Sequence, residues 1–219
     1  MKNIAWVTLV ALNLLAVSCK KDTNDSDPDP VVPVSEATDF TPLKTGNYWV
    51  YERYEVDSSG NATALNTFDS CYVEGDSVIN GVTYSKYIKP DYVSNTNVTL
   101  LLRDSADYLI SSNGQLLFSD NDTTTIFYSY YYTAIPDTIC LMQVKMTELN
   151  VMSTVPAGTF LSCDARTTYT MTPVFSSNGA VRIRHQRFGA NIGIISETLE
   201  FFLSNPLYTE RRLIRYHLN

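Results

Sequence analysis

Histidine is scarce in this chain: two in 219 residues, His185 and His217, thirty-two positions apart. Neither stands in a paired spacing such as HxxxH that would bring two imidazoles onto one metal ion, so no metal is expected. No GxSxG nucleophile elbow, P-loop or GxGxxG turn occurs, and no cofactor is expected either. Long windows of 3.6-residue apolar period with caps are missing, which removes helical bundles and doubly wound α/β folds. Positive charge is also short. The whole chain carries a net −7, and residues 41–219 hold 17 acidic against 13 basic side chains, which excludes the clustered basic face of a nucleic-acid binder. Six arginines do fall after residue 181, against Glu197, Glu200 and Glu210, and a mixed charged rim is the reading for them.

The amino terminus is the most informative stretch. "MKNIAWVTLVALNLLAVSC" sets one lysine before an apolar run that ends at small Ser18 and Cys19. That is the layout of an export signal. The apolar part is shorter than the roughly 18–20 residues that span a bilayer, and Lys20, Lys21 and Asp22 follow at once. "LAVSC" resembles the lipobox of bacterial lipoproteins, with Ala16 where leucine is commoner. The resemblance implies cleavage after residue 18 and acylation of Cys19, and two or three acyl chains give stable anchoring without a spanning helix. Residues 20–39 hold six acidic residues, two lysines, three prolines and no aromatic, so residues 19–40 are expected to form a lipidated cysteine and a disordered acidic tether. An acidic stretch directly after the cysteine resembles a surface-export signal of Bacteroidota lipoproteins. The expected location is the outer membrane, at the cell surface or facing the periplasm, with the membrane itself as one partner.

From residue 41 to 219 the chain reads as one all-β domain. "NYWVYERYEV", "TTTIFYSYYYT", "TICLMQVKMT" and "TFLSCDARTTYTM" are rich in aromatic and β-branched residues. Asn80-Gly81, Asn113-Gly114 and Asn178-Gly179 punctuate such runs as tight hairpin turns would, since a type I′ turn needs positive φ at both central residues. A single antiparallel sheet, strongly curved or closed into a barrel, follows, with a two-sheet β-sandwich as the alternative. Gly46 looks like the turn feeding the first strand, Trp49 a core anchor and Pro156-Ala157-Gly158 a turn into another strand. Gly189 and Gly193 suggest a bulge or bend.

"FTPLKTGNYWVYE", "VEGDSVINGVTYSKY", "LLRDS", "VPAGTFLSC", "FGANIGIIS" and "RRLIRYHL" occur in this order. Together they resemble a family of Bacteroidota lipoproteins that open with a PLKxGNYWxY-like segment and carry a GxGLI-like segment near the end. The family has no assigned activity. The resemblance implies an envelope compartment and an all-β domain, and it transfers no catalytic residue.

Few side chains ask for chemistry. His185, in "VRIRHQR", reads as one polar face of an alternating strand; a constellation with a distant aspartate and serine stays open. Asp120-Asn121-Asp122 reads as a polar turn, because a calcium loop would need Gly and Glu where Thr125 and Tyr131 stand. In "FYSYYYT", alternation sends Phe127, Ser129 and Tyr131 to one side and Tyr128, Tyr130 and Tyr132 to the other; one side must be core, so the stretch reads as core packing with a half-exposed aromatic ladder, with Tyr128, Tyr130 and Tyr132 the candidate surface for sugar or peptide. With Cys19 acylated, Cys71, Cys140 and Cys163 remain, which allows one bridge and one free thiol, with Cys140–Cys163 the candidate disulfide, or three buried free thiols, since cysteine also behaves as a small buried hydrophobe. Ser77, Ser105, Thr123 and Thr138 lie in Asp-Ser/Thr patterns that resemble Bacteroidota O-glycosylation acceptors. A non-enzymatic binding or structural module for a glycan, peptide, lipid or protein is the expectation, with a hydrolase of envelope or dietary polymers as the alternative.

Overall fold

A computed structural model describes residues 40–219 apart from 93, 95, 135, 178 and 200–207. The export signal, Cys19, the tether up to residue 39, and Asn178 of the third Asn-Gly pair therefore lie outside the described residues.

Twelve strands form one antiparallel sheet, nearly closed into a barrel. They are β1 (Tyr48–Val56), β2 (Ala62–Ile79), β3 (Val82–Pro90), β4 (Asn97–Ser105), β5 (Tyr108–Ser111), β6 (Leu116–Ser119), β7 (Tyr128–Ala134), β8 (Asp137–Val155), β9 (Gly158–Met171), β10 (Val181–Gly189), β11 (Gly193–Thr198) and β12 (Tyr208–His217). Two meanders, β1 to β6 and β12 back to β7, join where β1 pairs with β12. The barrel is thus preferred over the sandwich. Its open seam lies between β6 and β7, which are consecutive in sequence but unpaired. The only helical turn among the described residues is the 3-10 segment Pro173–Phe175.

The turns obey local chemistry. Asn80 and Gly81 have φ of 51° and 79°, the two positive angles a type I′ hairpin requires. Asn113-Gly114 closes the β5–β6 hairpin differently, since only Gly114 is positive at 83°. Asn113 instead spends its side chain on the Ser111 hydroxyl and the Gln115 N–H, in a wider turn closed by Gly114 N–H to Ser111 O at 2.9 Å. Pro156-Ala157 forms the two-residue tip of the β8–β9 hairpin, and the Ala157 N–H donates to Leu213 O at 3.0 Å, tying that tip to β12.

The inner face holds the core. Trp49, Tyr51, Cys71, Val73, Phe118, Met146, Phe188, Ile195 and Leu213 are buried there. Trp49 anchors the floor: its indole N–H donates to Ile192 O at 2.5 Å, and Gly193 lies flat against the ring. Gly193 has φ +94°, and a Cβ there would meet the indole at 3.3–3.4 Å, so both backbone and space ask for glycine. The expected irregularity of this segment is a bulge between Arg187 and Phe188, opposite β11.

Candidate functional site

Cross-strand register builds the site row by row, because directly opposed residues in an antiparallel pair point to the same face. One inner-face row runs Met146, Ala165, Gln186, Glu197, Arg211, Arg53 across β8, β9, β10, β11, β12 and β1. The next runs Tyr128, Val144, Thr167, Arg184. A third runs Tyr130, Met142, Tyr169, Arg182. The barrel interior therefore carries a charged cluster in a lumen that is otherwise mostly apolar.

Glu197 is its hub. Its carboxylate and the Arg211 side chain are both fully buried and meet at 2.5 Å. The Arg184 guanidinium also binds Glu197 Oε1, Gln186 donates to it at 3.2 Å, and the Lys89 ammonium approaches at 3.5 Å. Desolvation pushes the Glu197 pKa up, but Lys89, Arg211 and Arg184 outweigh it and hold the carboxyl well below the usual range. Burial pushes the Lys89 pKa down; Glu197 opposes this, while Arg211 and Arg184 add to it. Arg211 lies 4.4 Å from the Tyr51 ring centre and 5.4 Å from that of Tyr92, and its Nη1 reaches Cys71 Sγ at 3.2 Å. Beside it, Arg53 grips Asp69 with two bonds of 2.8 and 2.6 Å. Among the described residues the Arg211 Nε and the Tyr92 hydroxyl are buried without a hydrogen-bond partner.

A cavity of about 210 Å³ opens against this cluster. Lys89, Arg184, Gln186 and Thr167 line one side, and Leu100, Leu102, Leu109, Leu116, Phe188 and Ile194 line much of the rest. Lys89 and Arg184 are its charged lining groups among the described residues, and both are cations. The mixed-rim reading of the late arginines is corrected here: Arg182, Arg184 and Arg211 share the inner face, while Arg187 lies on the outer one.

Tyr128, Tyr130 and Tyr132 share a face, and it is the inner one. Tyr128 stands opposite Val144, which lines the cavity, so this aromatic ladder continues the lumen outward. Tyr128 and Tyr130 stack at 6.3 Å, Tyr130 meets Tyr132 edge-on at 5.3 Å, and Tyr130 keeps 48% of its surface exposed. Tyr132 then packs on the small cluster of Cys140, Tyr169 and Met171.

The Cys140–Cys163 bridge is not formed: Cys71, Cys140 and Cys163 are buried free thiols. Cys140 stands opposite Met171, eight residues along β9 from Cys163, a separation of roughly 26 Å at a strand's rise. A disulfide needs Cα atoms within about 7 Å. Sequence proximity of two strands left their register undetermined, and register decides the pairing.

His185 sits on the outer face, where its Nδ1 meets Asp164 Oδ2 at 2.7 Å and Asp164 also accepts from Thr147 at 3.1 Å. The aspartate partner is present, but no serine is bonded to the ring among the described residues. His217 stacks on Tyr48 at 5.6 Å. Asp122 accepts from Tyr108 at 2.7 Å and from the Thr124 and Thr125 backbone, so "DND" is a turn; the Thr125 and Tyr108 hydroxyls and these amides hold its pKa below the ordinary value. Among the acceptor candidates, Thr123 is exposed in the β6–β7 loop, Ser105 ends β4, and Ser77 and Thr138 lie half-buried within β2 and β8.

Lys89, Arg184, Glu197 and Arg211 went unremarked as a group in the sequence. The one local signal was the alternation of "VRIRHQR", which separates Arg182, Arg184 and Gln186 from His185.

No protein-family model matches the chain, and no curated protein does. Two solved structures align with 80% of it and 96% of their own chains: an inferred lipoprotein from Parabacteroides distasonis ATCC 8503 at 15% identity, and an inferred exported protein with a YmcC-like fold from Bacteroides fragilis NCTC 9343 at 14%. Each has a TM-score of 0.38, and at that level the likeness establishes neither a common fold nor a common activity.

Proposed function

We propose that this chain is an envelope lipoprotein, held by acyl chains on Cys19, whose barrel is a non-enzymatic binding module that admits a small ligand to its lumen. The cavity of about 210 Å³ between the leucine wall and the Lys89–Arg184 side carries the reading. A barrel that served only as a filled core would pack this space with side chains. The anchor rests on "LLAVSC" and the charged stretch behind it. The hydrolase alternative has less support. The paired His185 and Asp164 lie outside the lumen, and no nucleophile is hydrogen-bonded to the His185 ring among the described residues, the Thr198 hydroxyl meeting only its backbone N–H.

Two measurements test the parts separately. Cys19→Ala should move the protein from the membrane pellet to the soluble fraction of the envelope; continued palmitate labelling and pelleting would refute the anchor. For the lumen, the neutral fluorophore N-phenyl-1-naphthylamine should brighten on binding to the soluble Cys19→Ala protein. Leu100→Trp, which fills the cavity from its wall, should abolish that signal while leaving the unfolding transition cooperative. Unchanged fluorescence in the filled variant would place the probe elsewhere and remove the support.

A further inference from the structure

The charge at one side of the cavity narrows what the lumen can hold. The Lys89 ammonium has three N–H donors; among the described residues it has one carboxylate contact, to Glu197 Oε1 at 3.5 Å, longer than a normal charge-assisted hydrogen bond, and a distant ring contact, 5.8 Å from the centre of Tyr92, which uses none of the donors in a hydrogen bond. That carboxylate is already bound by Arg211 and Arg184. A lysine so placed is poorly compensated, and a cation held away from water with incomplete pairing is costly unless an anion joins it. Thr167 and Gln186 line the same side and offer neutral hydrogen-bonding groups. Away from them the wall is mostly apolar, with Leu100, Leu102, Leu109, Leu116, Phe188 and Ile194, and Thr41 and Gln115 add two further neutral polar groups.

We infer that the ligand is a single-chain amphiphile with an anionic head, carboxylate or phosphate, its head bound by Lys89 beside Gln186 and Thr167 and its alkyl chain lying along Leu100, Leu102 and Leu116. This rests on the binding-module reading and adds the chemical class of ligand to it. The cavity suits a slender molecule, since about 210 Å³ lies below the roughly 300–1,000 Å³ of sites for bulkier ligands. A bare inorganic anion would leave the leucine wall unfilled, and a neutral hydrocarbon would leave Lys89 uncompensated.

The test is titration calorimetry on the soluble Cys19→Ala protein with octanoate, octyl phosphate and octanol, which share one tail. One or both anions should bind at least tenfold tighter than octanol, and the better of them identifies the head as fatty-acid-like or phosphate-like. Lys89→Met should lower the affinity for that anion about tenfold and leave octanol unchanged. Lys89→Arg, which keeps the charge, should restore most of the affinity, a recovery that a purely structural role for Lys89 would not produce. Equal binding of octanol and both anions by the unsubstituted barrel would overturn the inference while leaving the binding module standing, a result that needs no folded variant. Failure of all three ligands and of the neutral naphthylamine would overturn the module and the inference together.

Discussion

Replacing Glu197 by glutamine keeps the side chain's size and removes the one charge that Arg211, Arg184 and Lys89 share. Glu197 and Arg211 are fully buried and 2.5 Å apart, so solvent does little to screen the loss. Breaking a buried pair by removing one partner costs about 3–5 kcal/mol, because the remaining cation stays in a poor dielectric. At about 2–4 °C per kcal/mol for a domain this size, the melting temperature should fall by roughly 6–20 °C. Urea unfolding of Glu197→Gln against the parent protein, followed by tryptophan emission, reads the difference directly. Adding Arg211→Met should recover at least about 1 kcal/mol of it, since each single change strands a partner that the double change does not. The pH dependence has a definite sign. The folded-state pKa of Glu197 lies below its ordinary 4.5, so its contribution is complete above that value and is lost as pH falls through the folded pKa. The gap between parent and variant should therefore be widest near neutrality and close in acid. A Glu197→Gln protein within about 1 kcal/mol of the parent at neutral pH would refute the claim that this carboxylate compensates the lumen's cations.

The remaining predictions concern the packing and the surface. Cys71, Cys140 and Cys163 should resist alkylation in the folded Cys19→Ala protein and give three reactive thiols in denaturant without reductant; a non-reducing count of one would restore the bridge that the register forbids. Gly193→Ala should cost about 1–3 kcal/mol in urea unfolding, since alanine there is strained at φ +94° and presses on Trp49; a neutral result would mean the floor of the barrel is looser than its contacts show. If the Asp-Ser/Thr patterns are used, Thr123 should carry the first glycan, because its loop leaves the backbone open to an enzyme. Intact mass of protein from a Bacteroidota host, compared with protein from a host lacking the pathway, decides this; equal masses after allowing for acylation would sink it.

What the sequence discloses and what it hides divide along physical lines. The β class was legible because aromatic and β-branched runs bounded by Asn-Gly carry their own local preference, and Asn80-Gly81 adopts the angles that preference demands. Asn113-Gly114 shows the limit: the dipeptide marked a turn, but side-chain bonds of Asn113 chose a different one. Trp49 could be placed in the core by its size alone. The alternation of Tyr128, Tyr130 and Tyr132 gave their common face, yet which side of the sheet was inward needed the whole barrel. The cluster was illegible for a stronger reason. Lys89, Arg184, Glu197 and Arg211 come from four strands, and only the order β3, β2, β1, β12, β11, β10 brings them around one lumen. That order is nonlocal, fixed by the closure of β1 on β12. The same holds for Cys140 and Cys163, whose strands pair but whose positions along them do not meet.

A lumen that holds a ligand should keep it through purification. Protein carrying Cys19→Ala, made in a Bacteroidota host and purified without detergent, should be measured by native mass spectrometry and then extracted with organic solvent. The expected result is a species heavier than the chain by one amphiphile, the added mass released on extraction as an anion and absent from the Leu100→Trp variant. A single species at the mass of the bare chain, with nothing extracted and no binding of octanoate, octyl phosphate or N-phenyl-1-naphthylamine, would contradict it.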